Sequence, residues 1–333
     1  MISIVCPFYN EESIIEKSIL LMLENLKSLP DDWELIIVND GSTDRSLDIA
    51  QSLAQDHHRL HVTGYADNRG RGFALRTGVA KARGELVVTT EIDSSWGDDI
   101  VHRVVTEFGK EKDVDIVIAS PHLSGGRYKN VPLKRVFLSS VGNMLIRAGT
   151  NSQVTMNTGM TRGYKRDKFL SLPLNEDGKE IHLEIIQKAM SFGYRICEIP
   201  AVLEWKDHKL TSSNSKKRKS SANVNRLIRT HLMFTLMAAP FRYMFTASAI
   251  LTLVGLFFFF WAVYNLFTPE PSIFLAITSF FLFLFAFLIS ALGTLSQQNL
   301  EVQGELWRIR SFLSKLDSTM LRKEAQDKMD NKN

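Results

Sequence analysis

Two uncharged apolar blocks, Met244–Phe267 and Ser272–Ser296, follow a chain of about two hundred residues in which apolar and polar runs are mixed. Each block has about 24 residues, enough as a helix rising 1.5 Å per residue to cross ~30 Å of hydrocarbon. Only Thr268-Pro-Glu-Pro-Ser272 separates them, so a tight hairpin returning the chain to its starting side is expected. A mixed-sequence domain followed by one such hairpin fits an enzyme held at a bilayer because one substrate lives there. The mean hydropathy of -0.04 averages the two parts and describes neither.

Basic residues give the hairpin a direction. Lys216-Lys-Arg-Lys219, Arg226, Arg229 and Arg242 precede the first block, Arg308, Arg310 and Lys315 follow the second, and the connecting loop carries only Glu270. Both long portions are therefore expected on the cytoplasmic side of the inner, cytoplasmic membrane, with two spans. The start, Met1-Ile-Ser-Ile-Val-Cys-Pro7, reads as a strand rather than a cleavable signal, which leaves targeting to the apolar blocks. Cys6 and Cys197 lie in apolar strand-like runs and form no CxxC pair, as expected of buried thiols in a reducing compartment. The formal charge is +4, but the basic residues cluster beside the apolar blocks without any nucleic-acid motif, so nucleic acid is excluded as a partner.

In the N-terminal part, short apolar runs of strand length fall at Ile2–Cys6, Glu34–Asn39, Leu60–Tyr65, Glu85–Thr90 and Asp115–Ala119. Helix-like stretches lie between them at Glu12–Leu29, Asp44–Gln55, Gly72–Ala82 and Asp98–Phe108. The alternation predicts an α/β domain with a mostly parallel sheet covered by helices on both faces, with ligands at the carboxyl ends of its strands. Further on, a basic-apolar helical stretch is expected over Leu133–Ala148, a Thr/Asn/Gly-rich turn up to Tyr164, a helix over Glu180–Phe192 and a strand over Tyr194–Glu204. Residues 1–210 form the expected catalytic domain, 211–240 a basic linker and an amphipathic juxtamembrane helix, 241–296 the two spans and 297–333 a tail helix. In the tail, Val302, Leu306, Ile309, Leu313, Leu316 and Met320 recur at four- and three-residue steps, a short coiled-coil seam that suits either a homo-oligomer or packing within one chain.

The residues with chemistry follow the strands. The first strand ends in Cys6-Pro-Phe-Tyr-Asn-Glu-Glu12 and the second in Val38-Asn-Asp-Gly-Ser-Thr-Asp44. Each also reads as a turn with a helix cap at Ser42 or Asp44. Asn68-Arg-Gly-Arg-Gly72 opens the third helix, where glycines permit close backbone approach and Arg71 offers charge to phosphate, or where a plain strand-to-helix turn sits. Leu86–Thr90 ends in Glu91-Ile-Asp93, two carboxylates one residue apart that suit a divalent ion bridging a diphosphate.

Together, in this order and spacing, these segments resemble the GT-A glycosyltransferases of family 2. The resemblance implies a nucleotide-sugar donor, UDP- or GDP-linked, with Pro7, Tyr9 and Glu11 lining the nucleoside site and Asp40 accepting hydrogen bonds from the base. It also implies Mg2+ or Mn2+ at Glu91 and Asp93, although Glu91 stands where the family has Asp, and Ser95 where it has Gln. The pattern continues in Pro132-Leu-Lys-Arg-Val-Phe-Leu-Ser-Ser-Val-Gly-Asn143, with Arg135, Ser139 and Asn143 on one helix, in Gly159-Met-Thr-Arg-Gly-Tyr-Lys-Arg166 and in Glu198-Ile-Pro200. This order over roughly residues 1–310 is similar to that of the polyprenyl-phosphate glycosyltransferases. It implies an inverting transfer to undecaprenyl or dolichyl phosphate, with Asp93 on the donor side and Arg127, Arg135, Ser139 and Arg162 at the acceptor phosphate. His122 stands where the family often has arginine, and Met156 where it is usually acidic. A processive or single-addition polysaccharide transferase of the same fold is the alternative, though its Gln-x-x-Arg-Trp segment is absent. A catalytically weak membrane scaffold is the other.

Overall fold

The computed structural model describes residues 1–29, 31–110, 113–133, 136–137, 139–141, 143–144, 154–205, 240–268 and 271–330; beyond Leu306 only Ile309 has a described side chain. The expected linker and juxtamembrane helix at 211–239, and Arg135, lie outside the described residues. The chain divides into two compact units, one of residues Met1–Arg147, Gln153–Asn223 and Trp307–Asn333, the other of Ala148–Ser152 and Val224–Leu306.

The first unit is built on a seven-stranded sheet. In chain order its elements are β1 (Ile2–Phe8), α1 (Ile15–Leu26), β2 (Trp33–Asp40), α2 (Ser46–Asp56), β3 (Leu60–Tyr65), α3 (Arg71–Lys81), β4 (Leu86–Thr89), α4 (Ile100–Lys110) and β5 (Ile116–Ser120). These are the elements expected from the apolar runs, β3 with the same bounds and the others with ends shifted by up to three residues. β6 (Arg127–Lys129), β7 (Arg162–Lys165), α5 (Arg166–Ser171), α6 (Ile181–Ser191), β8 (Ile196–Pro200) and β9 (Val202–Glu204) follow. The main sheet runs β3-β2-β1-β4-β7-β5-β8, and β6 pairs with β9 in a small second sheet. β2 is buried along its whole length, as a central parallel strand covered on both faces must be.

Two elements depart from expectation. β7 lies in what reads as a turn, yet it is inserted antiparallel between β4 and β5. Its sequence, Arg-Gly-Tyr-Lys, has no apolar run, because its packing depends on the lack of a side chain at Gly163. A Cβ there would stand 2.5 Å from Val104 Cγ1 and 2.6 Å from the Phe108 ring, both on α4. The expected strand Tyr194–Glu204 is two strands that break at Ala201 and belong to different sheets. There Ala201 N donates to Ser120 O, while Ala201 O accepts from Arg127 N.

Strand order reverses at β1, which pairs with β2 on one side and β4 on the other, all parallel. Ligands of open α/β sheets bind at such a reversal, outside the carboxyl ends of the strands. The ends of β1, β2 and β4 carry the segments Pro7–Glu11, Asp40–Asp44 and Glu91–Asp93.

The second unit contains helix α7 (Pro240–Asn265) and the membrane-length part of α8 (Ile273–Asp330), which continues without a break through the expected tail helix. Phe241–Asn265 and Ile273–Leu306 are long and apolar enough to cross a membrane. They meet on small residues at steps of seven. Ser248 Oγ donates to Ala286 O at 2.8 Å and Ser279 Oγ to Gly255 O at 3.1 Å, while a Cβ on Gly293 would lie 3.0 Å from Met244 Cβ and 3.8 Å from Phe241 Cα. Small residues let backbones approach, and the hydroxyls find partners where no water is at hand. Val302, Leu306 and Ile309 of the tail seam are exposed.

Replacing Gly163 by Val should overpack the α4–β7 contact and lower stability by about 1–3 kcal/mol. The thermal midpoint of the purified full chain in detergent reads this; an unchanged midpoint would show that α4 does not seat on β7.

Candidate active site

The loops after β1 and β2 are stitched into one platform. Asn10 N donates to Ser42 Oγ (3.1 Å), Thr43 N to Asn10 Oδ1 (2.8 Å), Glu11 N to Ser46 Oγ (2.8 Å) and Glu12 N to Asp44 Oδ2 (3.2 Å). Asp44 Oδ1 also accepts from Ser46 N, at the first residue of α2, although the N-cap position itself is Arg45, which makes no side-chain cap. Pro7 is half-buried and Tyr9 is exposed beside the platform.

Asp40, expected to receive the base, is engaged in folding its own loop. Its Oδ1 accepts from Tyr65 OH (2.7 Å), Arg69 N and Gly70 N (both 3.0 Å), and its Oδ2 from Asn68 Nδ2 (3.1 Å). Burial, then the Asp40 carboxylate, pushes the Tyr65 hydroxyl far above its ordinary range, so it stays a donor. Gly41, at φ 68°, lies under the same loop, where a Cβ would be 2.4 Å from Asn68 N.

The glycines before α3 make close backbone contact with the chain itself. A Cβ on Gly70 would meet Asp177 O at 2.6 Å, and one on Gly72 would meet Glu176 O at 2.4 Å. Asp177 O accepts from Gly72 N (2.7 Å) and Phe73 N (3.2 Å), and Arg76 donates to Leu174 O and pairs with Asp177. The first turn of α3 is thus closed by Leu174–Gly178. Arg71 alone turns its charge elsewhere, with Nη1 3.3 Å from Glu91 Oε1.

Glu91 uses its extra methylene to meet two donors, Arg71 on Oε1 and Trp96 Nε1 on Oε2 at 3.1 Å. Burial pushes its carboxyl above the ordinary range; Arg71 acts against this and Asp93 adds to it. Ser95, in place of the family's Gln, holds Asp93 Oδ1 through its backbone N–H at 3.0 Å and through its hydroxyl. Among the described residues no group of three His, Cys, Asp or Glu could hold an ion alone. Two adjacent carboxylates, one disfavoured as a buried anion, do fit a hard divalent cation that takes its other ligands from water and a bound diphosphate.

The expected acceptor residues separate. Arg162 is fully buried in β7, and its guanidinium donates to His182 O (2.8 Å) and Asn157 O (2.8 Å). Burial pushes its pKa down, with Tyr164 and Glu198 countering. Its two terminal nitrogens are spent on carbonyls in the core, where the resemblance expects a group at the acceptor phosphate. Arg127 is exposed on β6, and Ser139 is half-buried within a polar cluster. There Tyr128 OH lies 2.9 Å from His122 Nε2 and 3.3 Å from Ser139 Oγ. Asn143 Nδ2 donates to Ser139 O and its Oδ1 accepts from Asn157 N, both at 2.9 Å. Glu198 gathers Thr155 N (2.7 Å) and Met156 N (2.9 Å) beneath it, so the buried Met156 serves through its backbone.

The pairing of Tyr128 with His122 escaped the sequence reading, although the Gly125-Gly126 turn between them was the available signal. His182 escaped it too. It is buried with neither ring nitrogen hydrogen-bonded, and burial, then Arg162, holds it well below its ordinary pKa, hence neutral. A single histidine on an apolar helix gives no sign of this.

Arg162→Met should lower stability by roughly 3 kcal/mol or more, since two hydrogen bonds from a charged donor are each worth about 1.5–3 kcal/mol. Denaturant titration of the full chain measures it. A variant of unchanged stability with only weakened acceptor use would return Arg162 to the phosphate.

Comparison with known proteins bears on the family and the fold. The chain is 26% identical over 216 residues to a dolichyl-phosphate beta-glucosyltransferase of Trichomonas vaginalis, covering 62% of this chain and 66% of that one. It is 29% identical over 167 residues to an undecaprenyl-phosphate 4-deoxy-4-formamido-L-arabinose transferase of Pectobacterium carotovorum, covering 50% and 49%. The chain thus spans from about half to just under two thirds of the length of these relatives. In fold it is similar to glucosyl-3-phosphoglycerate synthase of Mycobacterium tuberculosis, solved with Mn2+, UDP and phosphoglyceric acid. That likeness has a TM-score of 0.51 at 21% identity and covers 71% of this chain and 78% of the other, supporting the GT-A architecture. The profile of glycosyl transferase family 2 matches residues 3–172, half of the sequence, and the chain belongs to that family.

Proposed function

We propose that the protein is a membrane-anchored, inverting glycosyltransferase that moves a sugar from a nucleoside diphosphate to a polyprenyl phosphate. The observation that carries this reading is one chain joining two features: the Glu91–Asp93 pair at the strand-order reversal and two membrane-length apolar helices. Relatives with dolichyl-phosphate and undecaprenyl-phosphate in their names support the acceptor class.

In this reading the platform of Pro7, Tyr9 and Glu11 receives the nucleoside, while Asp40 keeps the loop of residues 66–70 in place beside it. Arg71 stands ready to leave Glu91 for the diphosphate. Asp93, fixed by Ser95, and Glu91 would hold a divalent ion, which would supply positive charge against that developing on the leaving nucleotide. A lipid phosphate oxygen attacks the anomeric carbon, the new C–O bond forms as the bond to the diphosphate breaks, and the configuration inverts. With a charge of about −1.5 to −2, as for other phosphate monoesters, the phosphate is its own nucleophile and needs no strong base. The remaining work is to hold two anions together, by positioning and electrostatics. Arg127 and Arg135, with Ser139, are the proposed acceptor-side groups. The one-sided basic residues support a cytoplasmic site and cytoplasmic ends.

Purified full-length protein offered several nucleotide-sugars and a short polyprenyl phosphate should give a sugar-phosphate-lipid product by mass spectrometry; no product from any donor would refute the reading. Asp93→Asn, or EDTA, should cut turnover at least about a hundredfold with folding intact, in line with loss of electrostatic stabilisation. Undiminished activity in either would remove the ion. For topology, a Ser272→Cys variant should react with a membrane-impermeant thiol reagent from outside intact cells and Ser318→Cys should not, and the opposite pattern would invert the orientation.

A further inference from the structure

Beside the polar cluster of His122, Tyr128, Ser139 and Asn143 the first unit exposes three large apolar side chains in a row. Leu133 is 85% exposed, Phe137 68% and Met144 61%, among the described residues the most exposed large apolar side chains outside the two apolar helices. The described residues at 133, 136–137, 139–141 and 143–144 are helical. At 100° per residue the three fall within about 40° of each other, so they form a single stripe. Asn143 is buried and Ser139 half-buried on another side of the same turns, where they join the polar cluster. The segment therefore turns polar groups inward and apolar groups to solvent, the reverse of a helix that packs on a water-facing domain.

Charge indicates what the stripe meets. The chain has no Asp or Glu between Asp115 and Asp167, while Arg127, Lys129, Lys134, Arg135 and Arg147 surround the stripe in sequence. Large apolar side chains bordered by lysines and arginines suit the boundary between anionic headgroups and acyl chains. A lone hydrophobic side chain on a surface needs no explanation, but an aligned set beside a basic tract does.

We propose that the face carrying Leu133, Phe137 and Met144 is a membrane-docking surface that enters the headgroup–acyl boundary of an anionic bilayer, separately from the two apolar helices. Docking there brings the His122–Tyr128–Ser139 cluster to the depth at which a lipid's phosphate resides. This gives the acceptor a lateral entrance from the bilayer, a consequence that rests on the lipid-phosphate reading above; the docking itself does not.

The test uses the full chain in liposomes containing phosphatidylglycerol. A Phe137→Cys variant, with Cys197→Ser to remove the other accessible thiol, carries an environment-sensitive fluorophore. The expected result is blue-shifted emission, quenched by lipids brominated along the acyl chain, while the same label at exposed Glu24 stays water-like and unquenched. Water-like emission at 137 would overturn the proposal, as would a blue shift that lipid bromines fail to quench, since a protein surface would then cover the stripe. In a second arm, Leu133→Asp/Phe137→Asp should lower kcat/KM for a long polyprenyl phosphate in liposomes by about tenfold, given the apolar area no longer buried. Use of a short, water-soluble prenyl phosphate should change less than about twofold, as neither side chain lies in the polar cluster. Equal losses on both acceptors would overturn the entrance. If no lipid phosphate is ever glycosylated, the functional reading fails, and the fluorophore's depth still decides the docking.

Discussion

A guanidinium taken out of water must find acceptors for its N–H groups or forfeit several kcal/mol of folding free energy. Arg162 meets that demand in the middle of the sheet with its two terminal nitrogens, while its Nε is left buried without a partner, and a run of polar contacts starts from it. One of its nitrogens reaches the carbonyl of His182 at the start of α6, the other the carbonyl of Asn157. The backbone N–H of Asn157 in turn donates to Asn143, whose amide holds Ser139. The chain of contacts thus runs from a buried cation to the polar cluster near the surface. It works only because β7 enters antiparallel between β4 and β5, with Gly163 making room for α4.

On the donor side the polar groups do double duty. Asp40 folds the loop of residues 66–70, Ser95 fixes one oxygen of Asp93, and Glu91 is shared by Arg71 and Trp96. The closed first turn of α3 withholds the backbone N–H groups that commonly bind phosphate at a helix start. In the proposed reading, positive charge for a diphosphate comes from side chains and from a cation, which gives the carboxylate pair its importance.

What could be read in the sequence was what repeats locally. β1 to β5 and the helices between them are visible as apolar runs of the right length, and the site segments follow from the rule that ligands sit at strand ends. Glu91-Ile-Asp93 needed only that rule and two carboxylates. The rest depends on partners far along the chain. Nothing near Gly70 and Gly72 points to Asp177, about a hundred residues away, so their glycines read as a seat for a ligand. Arg162 reads as a phosphate ligand for the same reason, since only the folded sheet shows the carbonyls of His182 and Asn157 that its terminal nitrogens meet. β7 has no apolar periodicity to detect.

The seven-residue spacing inside the apolar hairpin has a mechanical consequence. Ser248 with Ala286 and Gly255 with Ser279 form two rungs, two helical turns apart, and Gly293 faces Met244 and Phe241 one step further on. To slip into the next equivalent alignment, one helix would have to slide about 10.5 Å along the other, a third of a ~30 Å hydrocarbon core. Smaller slips would put Phe or Leu against Ser, Ala or Gly and break the two hydroxyl bonds between the helices. The hairpin is thus keyed to one alignment, and lengthening either arm inside the ladder is tolerable only in whole sevens.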